Sequence, residues 1–153
     1  MSSILDVIAT ALTGLIIGFA FAVAGIWPLI SMLRAARHAA RHDETTGLPN
    51  RRAFYPRLDR AARRGRVAVA LLDLNGFKAI NDTCGHQAGD QVLTRVAARL
   101  AALPSPAMFA ARLSGDEFAL LIDDRDGGAM LTAQAAWRTI AAAPVLLTDG
   151  QQV

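Results

Sequence analysis

The chain has 153 residues, room for one domain of ordinary size plus an appendage; 53% of them are hydrophobic and the net charge is +3. So high an apolar content argues against a wholly soluble chain, and the single cysteine, Cys84, excludes an intrachain disulfide and fits a reducing compartment. The one tight basic cluster beyond the N-terminal third, Arg63-Arg64-Gly65-Arg66, has no interleaved aromatic residues, which points to a solvated helix end and away from nucleic acid.

In chain order, Val7 to Leu33 carries no charged residue and exceeds the roughly 20 apolar residues that cross a bilayer. Ala22-Val23-Ala24 resembles a signal-peptide cleavage site, but Met1 to Asp6 holds no Lys or Arg, and hydrophobicity continues through Ile26, Trp27, Leu29 and Leu33. The expectation is one uncleaved membrane helix within residues 1–33. Arg34, Arg37 and Arg41 follow it, against a lone Asp6 before it, which assigns the rest of the chain to the cytoplasm, anchored single-pass in the inner membrane. Residues 34–42 then form a basic juxtamembrane linker beside anionic headgroups, too short to be identified as a coiled coil.

Gly47 and Pro49 punctuate a boundary over Asp43 to Asn50, and Asn50 suits the N-cap of a helix over Arg51 to Arg64. Val67 to Leu72 reads as a buried strand, Phe77 to Asp82 as one or two helical turns, and Gln87 to Leu103 as an amphipathic helix ended by Pro104 and Pro106. Met108 to Leu113 and Phe118 to Ile122 are strands joined by Ser114-Gly115-Asp116-Glu117. A further helix runs from Asp126-Gly127-Gly128 through Ala143, and Pro144 to Thr148 reads as a last strand leading into an Asp149-Gly150 hairpin turn. The order strand, helix, strand, strand, helix, strand predicts an α+β, ferredoxin-like antiparallel sheet with helices. Only three residues follow the last turn, fewer than a usual return strand of roughly five or six, so the chain is expected to stop inside a hairpin.

Two strand ends carry carboxylates, Asp73 after the first strand and Asp116-Glu117 between the next two. That pattern suits a site for a nucleotide and a metal ion, although an exposed acidic turn and an Asp73 N-cap are the plainer readings of each alone. Four ordered stretches carry a wider resemblance: Asp43-x-x-Thr46-Gly47-Leu48-x-Asn50-Arg51, Asp73-Leu74-Asn75-Gly76-Phe77-Lys78-x-Ile80-Asn81-Asp82, Gly85-His86-x-x-Gly89-Asp90 and Ser114-Gly115-Asp116-Glu117-Phe118. Together they closely resemble the GGDEF family of diguanylate cyclases over residues 43–153.

The resemblance implies a nucleotidyl-cyclase-like fold that condenses two GTP into cyclic di-GMP with release of pyrophosphate, each GTP held by one of two facing domains, hence a homodimer. It implies Mg²⁺ or Mn²⁺ on Asp73, the Leu74 carbonyl, Asp116 and Glu117, with Asp116 as proton acceptor and Glu117 completing the acidic catalytic cluster. Phe77 and Lys78 open a short helix whose free amides favour phosphate, Asn81 and Asp90 read guanine, with His86 beside them, and Ser114-Gly115 lie against the substrate. Each also has a structural reading: Phe77 as core, Asn81 as a helix C-cap, His86 as a cap for the following helix.

The chain departs from the family pattern in four places. Ser114 stands where the signature has its first glycine, which is expected to lower activity rather than abolish it, and Asn75 replaces an aspartate that the family does not place on the metal. The inhibitory Arg-x-x-Asp product site is replaced by the uncharged Ser105-Pro106-Ala107-Met108, so feedback inhibition there is expected to be absent. The family's last strand and basic helix are missing, so the domain is expected to be incomplete, and poorly folded or inactive by itself. The alternatives to a membrane-anchored cyclase are a non-catalytic GTP-binding regulatory domain, such as one preceding a cyclic di-GMP phosphodiesterase domain, and an inactive fragment.

Overall fold

A computed structural model of the chain describes residues 2–103 and 108–153; most of the stretch that replaces Arg-x-x-Asp, Ser105 to Ala107, lies outside them. The chain divides into two compact units, residues 1–39 and 40–153.

The first unit is one helix, α1 (Ser2–Ala39), with Pro28 inside it. It is long and apolar enough to cross a membrane. Its hydroxyls are folded back on their own backbone: Thr10 Oγ1 donates to the Asp6 carbonyl at 2.8 Å, Thr13 Oγ1 to Ala9 at 2.8 Å and Ser31 Oγ to Pro28 at 2.8 Å. Each such bond pairs a hydroxyl donor within the helix itself.

In the second unit, α2 (Arg51–Arg64) begins where expected. Asn50 sits in extended backbone, and its Oδ1 accepts from the N–H groups of Arg52 at 3.0 Å and Ala53 at 3.3 Å. There follow β1 (Val67–Asp73), α3 (Phe77–Cys84), α4 (His86–Ala101), β2 (Met108–Ser114), β3 (Glu117–Asp123) and α5 (Ala129–Ala141). The three strands form an antiparallel sheet in the order β1-β3-β2.

The central strand β3 explains the two-sided packing. Successive side chains alternate faces: Phe118, Leu120 and Ile122 enter the larger core under α4 and α5, while Ala119 and Leu121 enter a smaller one with Phe54 of α2. All five are at most 5% exposed, which is why this strand reads as an unbroken apolar run.

The expected last strand, Pro144 to Thr148, is not a fourth strand of this sheet. Val145 and Leu147 are buried in the larger core, but the backbone pairs locally: the Val145 and Val153 amides donate to each other's carbonyls at 2.6 and 3.0 Å, and Leu147 N–H donates to Gln151 at 2.8 Å. Helix α4 holds this small hairpin. Gln91 Oε1 accepts from Thr148 N–H at 2.8 Å, and Arg99 donates to the carbonyls of Ile140 at 2.7 Å and Pro144 at 3.1 Å. The ferredoxin-like order therefore holds through α5, and the segment after it is docked by side chains rather than by a sheet edge.

Candidate functional site

The β1–β3 ladder ends by pairing Asp73 with Glu117, directly opposite each other in register. Directly opposed residues share a face, with Cβ atoms roughly 4.5–5.5 Å apart. Asp116 precedes Glu117 in the turn between β2 and β3. Among the described residues no three His, Cys, Asp or Glu side chains converge closely enough to hold a metal ion, which differs from the expected cluster of Asp73, Asp116 and Glu117. Glu117 is the first residue of β3, opposite Asp73, whereas Asp116 belongs to the turn before it. The remaining oxygen donors suit Mg²⁺, which binds through one or two carboxylates plus substrate phosphates. Asp73, Glu117 and the adjacent Leu74 carbonyl, which accepts from Phe77 N–H at 3.1 Å, would make such a set.

The helix caps dispose of three plainer readings. Gly76, with φ 78°, is the N-cap of α3, so Asp73 is not; an L side chain at Gly76 would be strained in that left-handed conformation. Gly85 caps α3 and precedes α4, so His86 is the first residue of α4, exposed and not its N-cap. Asn81 lies inside α3, and its backbone carbonyl, not its side chain, receives the Gly85 N–H at 3.0 Å. Phe77, in contrast, does pack against the larger core, so its side chain is structural. Lys78 is exposed at the start of α3.

Asn81 packs on a residue to which the sequence alone assigns no role, the one before Asp90. A Cβ on Gly89 of α4 would lie 2.0 Å from Asn81 Oδ1, 3.0 Å from Asn81 Cγ and 3.2 Å from Phe77 Cζ. The missing side chain lets α3 lie directly on α4, with the Asn81 amide seated against Gly89. Gly89→Ala is expected to lower stability by about 1–3 kcal/mol through overpacking, whereas Gly128→Ala, in open space, is expected to change it little. Thermal unfolding of the two variants, followed by circular dichroism in the same detergent, makes the comparison.

Arg112 of β2 is a second such residue. Its Nε donates to the Gly115 carbonyl in the acidic turn at 2.8 Å, and its Nη1 donates to Asp43 Oδ1 at 2.8 Å. Asp43 also accepts from Thr46 N–H at 2.9 Å and Thr46 Oγ1 at 2.7 Å. Burial opposes ionisation of this carboxyl, but the bonds from Thr46 and Arg112 outweigh it and hold its pKa below the ordinary value. A signal was available in the sequence: a lone arginine in an otherwise apolar strand needs a partner.

A family model described as "Diguanylate cyclase, GGDEF domain" matches residues 40–152. Diguanylate cyclase TpbB of Pseudomonas aeruginosa is 43% identical over 123 residues, covering 76% of this chain and 28% of TpbB. Cyclic di-GMP phosphodiesterase PdeB of Shewanella oneidensis is 46% identical over 103 residues, covering 67% of this chain and 12% of PdeB. A solved structure of TpbB from P. aeruginosa comprising only its GGDEF domain superposes with a TM-score of 0.66 and 42% identity, over 73% of this chain and 69% of that one. The chain thus spans less than a third of either curated relative.

Proposed function

The chain belongs to the GGDEF family of diguanylate cyclases, and from that premise we propose that residues 43–153 bind GTP and condense two molecules of it into cyclic di-GMP, in a homodimer anchored at the cytoplasmic face of a membrane by residues 7–33. The observation that carries this reading is the register pair Asp73 and Glu117 beside the glycine-capped start of α3. A divalent ion held there by Asp73, Glu117 and the Leu74 carbonyl would acidify a ribose hydroxyl and neutralise phosphate charge.

The chain's own residues supply the rest. Asp116 takes the proton from the attacking 3′-hydroxyl. The free amides at the start of α3, with Lys78, hold the outer phosphates of the leaving pyrophosphate. Asn81 and Asp90 present an acceptor and donor set to the guanine edge, with His86 at the same helix end, and Ser114-Gly115 allow close approach of the nucleotide.

The test is to incubate the full-length gene product with GTP and Mg²⁺ and quantify cyclic di-GMP by chromatography. Wild type is expected to form product and Asp116→Ala to form at least about 10²-fold less; equal product from both would refute the catalytic assignment. The second reading, a GTP-binding regulatory domain without turnover, is favoured by Ser114 and by the similarity to a protein named as a phosphodiesterase. It predicts saturable GTP binding with no product from wild type.

A further inference from the structure

The start of α4, from His86 to Asp90, has little of its own to hold it. Gly85 precedes the helix and offers no side chain to cap it, and no acidic residue stands in the first turn to meet the dipole. Gly89 adds a weak helix former one residue before Asp90. Such a helix start frays unless something outside it ties it down. Two side chains just beyond it reach distant segments. Thr94 Oγ1 approaches the Thr45 carbonyl at 3.2 Å, but its single proton is shared with the Asp90 carbonyl of its own helix at 2.8 Å. Gln91 is the firmer tie, because both ends of its amide engage one residue: Oε1 accepts from Thr148 N–H at 2.8 Å, and Nε2 donates to Thr148 Oγ1 at 3.1 Å. Two bonds to one partner fix an orientation as well as a distance.

Thr148 belongs to the small hairpin of residues 145–153, which is itself anchored. Val145 and Leu147 are buried in the larger core, and Arg99 holds the carbonyls of Ile140 and Pro144 just before them. The tip is closed by Gly150, at φ 86°, and by Asp149 Oδ1, which accepts from Gln151 N–H at 3.0 Å. From that tip Gln151 Oε1 accepts from the thiol of Cys84, the last residue of α3, at 3.8 Å. The hairpin thus touches the chain on both sides of the stretch from Gly85 to Asp90, at Cys84 before it and at Gln91 after it. Burial and Arg99 already dock the hairpin, so the effect of the Gln91 clasp falls on the weaker partner, the uncapped start of α4.

We propose that Gln91 is a positioning residue for base recognition: its grip on Thr148 braces the start of α4 and so sets the place of Asp90, making the hairpin part of the site's selectivity for guanine. The inference rests on the reading that Asn81 and Asp90 meet the guanine edge, and adds to it a residue that acts through its neighbour. Hydrogen bonds weaken steeply as their angle opens, so a small drift of Asp90 costs base selectivity. The phosphate-facing start of α3 lies on the other side of that helix and is left as it was.

The test is calorimetric titration of the full-length gene product, in nonionic detergent with Mg²⁺, using the α,β-methylene analogues of GTP and ATP, which lack the bond that turnover would break. The two carry the same ribose and phosphates, so the ratio of their affinities reports the base alone. Wild type is expected to prefer the guanine analogue. Gln91→Met, near in length but without a strong donor or acceptor, is expected to lower that preference about fivefold or more, with the unfolding temperature little changed. Gln91→Glu, whose carboxylate can accept from both the Thr148 N–H and its hydroxyl, is expected to keep most of it. Gly150→Val, strained in the left-handed turn, is expected to give the loss from the hairpin side without touching α4. Affinities for both analogues that fall in parallel, with the preference unchanged, mark a merely structural role and overturn the proposal. A preference that also survives Asp90→Ala refutes the reading of the guanine site as well, whereas one lost in Asp90→Ala and kept in Gln91→Met overturns this inference alone.

Discussion

Replacing Asp73 with asparagine lowers cyclic di-GMP formation by about 10²–10³-fold, the scale on which one preorganised charge-stabilising group acts in a transition state, while leaving the unfolding temperature of the protein within a degree or two. The two halves of that expectation come from the same geometry. Asp73 is exposed at the last step of the β1–β3 ladder and does not cap α3, so removing its charge breaks no bond among the described residues; surface changes of this kind usually stay within about 0.5 kcal/mol. Its one partner position is Glu117, and a neutral amide there cannot help a second carboxylate hold a divalent ion. Glu117→Gln is expected to behave alike. The Mg²⁺ dependence of GTP affinity distinguishes this account from a purely structural role: it should flatten in both variants while affinity in EDTA stays as in wild type. An Asp73→Asn protein with undiminished product, or one whose loss tracks a fall in unfolding temperature, would remove Asp73 from the site.

Much of this geometry was legible from the residues because local rules and tertiary structure agree. Asn50 as a cap, the two-faced burial of β3 and the breaks at Gly76 and Gly85 follow from side-chain chemistry within a few positions of each residue. Where the reading fell short, the deciding contact is distant in sequence. Pro144 to Thr148 has the apolar alternation of a strand, but Gln91 and Arg99, some 45 to 57 positions earlier, clasp it as a hairpin. The carboxylates at Asp73 and Glu117 could be placed at strand ends, but only the register makes them neighbours. Gly89 is visible as a glycine in a helix, and its purpose appears only when Asn81 is found lying on it.

Arg112→Ala is expected to cost about 1–3 kcal/mol at neutral pH, the range for stranding a partly buried hydrogen-bonded group, and to loosen the acidic turn at the same time. Arg112 is 12% exposed and Asp43 24%, so their 2.8 Å pair is neither a surface contact worth little nor a fully desolvated one. Truncation leaves the Asp43 carboxylate with Thr46 alone and the Gly115 carbonyl without its donor. The sign of the pH dependence follows from the depressed pKa of Asp43. A carboxyl whose folded-state pKa is lowered contributes stability above its unfolded value, and loses that contribution as pH falls through the folded value. The gap in stability between wild type and Arg112→Ala should therefore be largest at neutral pH and narrow as pH drops below the ordinary value of 3.8. Denaturant unfolding at a series of pH values measures it. Arg112→Lys separates charge from geometry: one ammonium can keep the Asp43 pair, but it cannot span to the Gly115 carbonyl as the two-pronged guanidinium does. That variant is expected to recover most of the stability and little of the catalytic rate. If lysine instead restores both, the bond to Gly115 has no part in holding the turn that carries Asp116 and Glu117.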